Sequence, residues 1–74
     1  MKPFDQQFKG EIPRRLVMAT LAGGRRYELW RTPEVKPGWH LYGYQDEVEI
    51  SRRPVASETR GRIEFERRVE EHTA

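Results

Sequence analysis

The side chains able to do chemistry are few and scattered. Two histidines, His40 and His72, are separated by most of the C-terminal half, and the chain contains no cysteine. A zinc site needs three or four His, Cys or carboxylate ligands at short spacings. No stretch offers them, so no metal is expected. Ser51 and Ser57 are the only serines. A strand pairing that set Ser51 across from His40 would make a dyad. Nucleophilic catalysis also needs an orienting third group and oxyanion donors, and the sequence supplies neither. The carboxylates Glu47, Glu49, Glu64, Glu66, Glu70 and Glu71 alternate with strand residues or line a charged tail. That is the pattern of a solvated face, not of a paired acid and base in a deep cleft. The chain is expected to be no enzyme and to carry no cofactor.

Three binding chemistries remain. Gly23-Gly24 followed by Arg25-Arg26 could cradle an anion with backbone N–H groups and guanidiniums, although a turn flanked by arginines is a weak signal. Trp30, Tyr42 and Tyr44, with Arg25, Arg26 and Arg31 nearby, could stack nucleic-acid bases and contact phosphates. Against this, Glu28, Glu47 and Glu49 fall on or near the same surface and would repel phosphate. The third chemistry is protein recognition. Tyr, Trp and Arg dominate interface hot spots. The set Trp30, His40, Tyr42 and Tyr44, rimmed by Glu47, Glu49, Arg52 and Arg53, has that mix.

These residues need strands to hold them. "WHLYGY" (39–44) alternates, with Trp39 and Leu41 on one face and His40, Tyr42 and Tyr44 on the other. With Gln45-Asp46 as a two-residue turn, residues 39–52 form a hairpin. Leu41 then meets Ile50 and Gly43 meets Val48, while Tyr44 meets Glu47, Tyr42 meets Glu49 and His40 meets Ser51. Trp39, Leu41, Val48 and Ile50 become core, and the tyrosine face becomes the wet one. A slip of one residue would reverse this.

Residues 13–22 read as a helix, with Pro13 at its first position and Gly23 just past its end, or residues 14–32 read as a hairpin about Gly23-Gly24. The β-branched Val17 and Thr20 and the adjacent alternating run Tyr27 to Thr32 favour the hairpin. A two-residue turn would put Leu16, Met18, Thr20, Tyr27 and Leu29 on one face. Val17, Ala19, Leu21 and Trp30 would lie on the other.

At the start, Phe4 and Phe8 suggest a short helical cap over residues 1–10. "RPVASETRG" reads as a loop broken by Pro54 and Gly61. Residues 62–69 form a C-terminal strand or helix, with the alternation of Ile63 and Phe65 favouring a strand through Arg67. The expected fold is mostly β, or α+β if residues 13–22 are helical. It is a small antiparallel sheet or partly open barrel of four to five strands with a short N-terminal helical segment.

Composition bounds the rest. The 74 residues suffice for one small domain, 1–74, with a thin core. Fourteen basic residues face twelve acidic ones, a net +2, short of the one-signed excess of a dedicated nucleic-acid binder. The sign differs along the chain. Residues 1–44 hold eight basic and four acidic residues, residues 45–74 six basic and eight acidic. No signal peptide or membrane span is evident, so a cytoplasmic protein that avoids membranes is expected.

In size and composition, though in no specific residue, this short, cysteine-free, highly charged chain resembles the small inhibitors that phages and mobile elements encode against host machinery, anti-CRISPR proteins among them. The expectation is a non-enzymatic protein-binding module, an inhibitor in the finer reading. Its partner would be another protein, including one from a nucleic-acid-binding complex. The alternative is a small β domain that binds nucleic acid, and a second copy of the chain is a further candidate partner.

Overall fold

Four strands follow one another in space as they do in sequence. The computed structural model describes residues 12–73; the helical cap expected over residues 1–10 lies outside them. Strands β1 (Arg14–Thr20), β2 (Arg25–Arg31), β3 (Trp39–Gln45) and β4 (Val48–Pro54) precede one helix, α1 (Glu58–Thr73). All neighbours are antiparallel, in the order β1-β2-β3-β4. The sheet is open, not barrelled, and no fifth strand occurs among the described residues. No helix among them is long and apolar enough to cross a membrane.

The first hairpin forms, but one residue out of the expected register. Its loop is Ala22–Gly24, a tight 3-10 turn in which Gly23 and Gly24 both take positive φ, 80° and 84°. Leu21 N–H donates to Arg25 O at 2.7 Å across it. With three loop residues, Ala19 pairs with Tyr27, Met18 with Glu28 and Val17 with Leu29. Tyr27 and Leu29 therefore share a face with Ala19 and Val17, not with Met18 and Thr20. A β-bulge at Leu16 then lets Arg15 pair with Trp30.

The second hairpin turns at Asp46-Glu47. Both have positive φ, 52° and 70°, as a two-residue turn matched to strand twist requires. Gln45 then pairs with Val48 and Tyr44 with Glu49. Ile50 is an extra, bulged residue, after which Gly43 pairs with Ser51, Tyr42 with Arg52 and Leu41 with Arg53.

The C-terminal segment is a helix, which corrects the strand favoured for residues 62–69. Ser57 caps it: the Arg60 N–H donates to its Oγ at 3.1 Å. The Arg62–Glu58 pair at 3.0 Å supports the first turn. Gly61 lies inside the helix, not in a loop. A Cβ there would meet Leu29 Cδ1 at 2.7 Å and Val55 Cγ2 at 3.2 Å, so glycine lets the helix seat low on the sheet.

The helix covers β2 and β3 on one face. Beneath it Tyr27, Leu29, Leu41, Val55 and Phe65 are buried, with Leu16, Val17, Ala19, Leu21, Trp39 and Val69 packed around them. Of the four core residues expected in the second hairpin, Trp39 and Leu41 join this cluster. Val48 and Ile50 do not; they are 62% and 52% exposed, because the helix packs chiefly on β2 and β3.

Candidate binding face on the open side of the sheet

The face turned away from the helix is a mesh of rings and paired charges. Strand alternation puts Arg26, Glu28 and Trp30 of β2 there, beside His40, Tyr42 and Tyr44 of β3. Glu49 and Arg52 of β4 extend it. On β3 the rings form a ladder, with His40 and Tyr42 centroids 6.3 Å apart and Tyr42 and Tyr44 centroids 6.4 Å apart. Guanidiniums lie against it: the Arg26 Cζ is 4.3 Å from the Tyr44 ring centroid and the Arg52 Cζ 5.5 Å from that of Tyr42.

Glu28 is the hub. It is only 5% exposed, and an ionised carboxylate at such burial needs partners. Trp30 Nε1 donates to its Oε1 at 2.7 Å, Arg26 Nε to its Oε2 at 2.8 Å, and Arg15 Nη1 stands 3.7 Å off. Arg26 also reaches across the sheet end to Glu47, donating through Nη1 to both carboxylate oxygens at 2.9 Å. Its bonds to Glu47 and then to Glu28 raise the guanidinium pKa above its ordinary value, because they favour the charged form. Arg52 is raised likewise, first by its hydrogen bond to Glu49. The Tyr44 phenol is pushed above 10.0 by burial first, and then by the charges of Glu28 and Glu49.

His40 departs from expectation. It is 8% exposed, not at the surface, and its Nδ1 lies 2.8 Å from Thr32 Oγ1. It works as a polar anchor at the end of the ring ladder. A hollow of about 350 Å³ on this face is lined by Trp30, Thr32, Val35, Tyr42 and Tyr44 among others, and not by His40.

The expected contact residues are thus brought together in part. Trp30, His40, Tyr42, Tyr44, Glu49 and Arg52 share the open face, and Glu47 joins it from the turn. Arg53 falls on the opposite face, where its Nε is 3.6 Å from Glu64 Oε1. The three arginines expected for nucleic acid do not form one surface. Arg25 and Arg31 pair with Gln45 and Trp39 on the helix side of the sheet. Arg25 is tied there by Gln45 and Tyr27, and Arg31 is stacked on Trp39 with its centroid 4.5 Å away. Only Arg26 reaches the open face. At the Gly23-Gly24 turn the Asp46 carboxylate lies against Gly24, a like charge to any anion approaching there.

Sequence reasoning sets Glu28 on or near this surface only as a charge that repels phosphate, not as its hub, and does not single out Arg15 or Thr32. The signal for Glu28 was present in Arg26-x-Glu28-x-Trp30, where alternation puts a cation, an anion and an indole donor on one face. Among the described residues, no cluster of three or more His, Cys, Asp or Glu side chains could hold a metal. The sequence matches no protein-family model and no curated protein, and the structure matches no solved structure.

Proposed function

We propose that the chain is a non-enzymatic protein-binding module that recognises its partner through the open face. One observation carries this reading: aromatic rings, arginines and carboxylates interleave there with the charges paired. Rings supply contact area at low entropic cost, and paired charges on the same patch supply register and specificity. Nucleic acid is the weaker partner. Glu28 and Glu49 stand directly across from Tyr42 and Tyr44, where phosphates would have to approach.

The test pairs two measurements. Fluorescence anisotropy against labelled single- and double-stranded DNA and RNA, at low salt, is expected to show no binding tighter than about 10⁻⁴ M, the weak end of non-specific affinity. Tighter binding that weakens steeply with salt would overturn the proposal. Cross-linking capture is then run with the wild type and with Tyr42→Ala/Tyr44→Ala. The captured protein should be lost with the double variant, whose circular dichroism spectrum should remain that of the wild type. A partner retained by the variant would move the binding surface elsewhere.

A further inference from the structure

The outer strand β4 carries charges of both signs on an open sheet edge. It ends the sheet, and all seven of its residues are exposed, since the helix packs on β2 and β3. Its edge, both its faces and the large apolar side chains Val48 and Ile50 meet solvent. Natural edges are protected by charges that repel an approaching strand. Here the charges do the opposite when the approaching strand is a second copy.

The faces decide the register. Glu49 and Arg52 lie on the open face with Tyr44 and Tyr42, whereas Val48, Ser51 and Arg53 lie on the helix side with Gln45, Gly43 and Leu41. Residues directly opposite in an antiparallel pair share a face. A two-fold axis between Ile50 and Ser51 satisfies this on both sides of the bulge: Glu49 meets Arg52 and Val48 meets Arg53, with Ile50 and Ser51 facing each other at the axis. The Glu49–Arg52 pair occurs twice, as a closed two-fold contact requires. The bulged residues meet at the axis, so the alternation on either side of it is kept. β1, at the other end, has no carboxylate and cannot pair its own charges this way.

We infer that a second copy of this chain docks on β4, antiparallel and in this register, joining two four-stranded sheets into one. The inference does not depend on what binds the open face. Sedimentation equilibrium across a concentration series should show a monomer–dimer equilibrium. Glu49→Arg and Arg52→Glu should each weaken it by about tenfold, because each variant sets like charges opposite one another twice. The double swap should restore it. The chain has no cysteine, so an equimolar mixture of Ile50→Cys and Ser51→Cys, which face each other across the axis, should cross-link under mild oxidation, whereas Thr20→Cys on β1 should not. A chain that stays monomeric to about 1 mM would overturn the inference and leave the edge to a strand of another protein. A dimer indifferent to the charge swaps, or one that cross-links through Thr20→Cys instead, would also overturn it.

Discussion

At the residue scale the open face is held by a carboxylate, not by an apolar side chain. Removing it while leaving its donors in place is costly, because a buried donor without a partner bears its full desolvation penalty. Glu28→Ala leaves Trp30 Nε1 without its acceptor and is expected to cost about 2 kcal/mol in urea unfolding. Glu28→Gln keeps an oxygen for the indole and loses only the charge, so it should cost about half as much. Equal losses for the two would show that the indole bond contributes little. Tyr44 gives a pH dependence of definite sign. Its folded phenol titrates above 10.0, so between that value and its folded pKa the unfolded chain holds fewer protons. Stability must fall as pH rises through that window, and it is fully present below it. Tyr44→Phe removes this contribution and should retain more of its pH 8 stability at about pH 10.5 than the wild type retains. Urea midpoints at the two pH values check it.

At the element scale the two hairpins were legible and their turns were not. Alternation in "WHLYGY" and in residues 27–32 marks strands. Gly23-Gly24 marks a turn but does not tell two loop residues from three, and that one residue decides which side chains Tyr27 and Leu29 meet. In the second hairpin, Asp46 and Glu47 take a backbone conformation that sequence reasoning assigns to glycine or asparagine. The turn was therefore placed one residue early. The helix was misread for another reason. Gly61 looks like a breaker when only propensity is weighed, whereas its role is to let the helix approach Leu29. Gly61→Ala would add about 1 kcal/mol of helix propensity, yet its Cβ would press on a side chain with no exposed surface. Overpacking costs about 1–3 kcal/mol, so a net loss of about 1 kcal/mol is expected from thermal unfolding. A gain would mean that Leu29 yields easily. Of the candidate site, the ring ladder followed from period-two alternation. The burial of His40 did not, because it depends on Thr32 eight residues earlier.

At the scale of the whole molecule the two sides of the sheet are held by different physics. The helix side buries apolar surface; the open side is cross-linked by ion pairs, hydrogen bonds and stacked rings. Without the helix, Tyr27, Leu29, Leu41 and Val55 would face water and the core would lose Phe65 and Val69. A chain ending at Ala56 should therefore lose cooperative thermal unfolding altogether, although every strand is present. A cooperative transition in that fragment would show that the polar mesh alone can hold the sheet. The uneven charge along the sequence does not become two charged halves in space, since Arg26 of the basic half is bound to Glu47 of the acidic half.

The extra residue in β4 also bears on how the gene can change. The pairings on both sides of Ile50 stay in phase with β3, so losing its codon would leave a regular ladder with every other side chain on its present face. The central strands have no such slack. A codon gained or lost within β2 or β3 would exchange the greasy and the polar sides of the sheet at a stroke. Length variation among descendants of this gene should therefore collect at the fourth strand and spare the second and third.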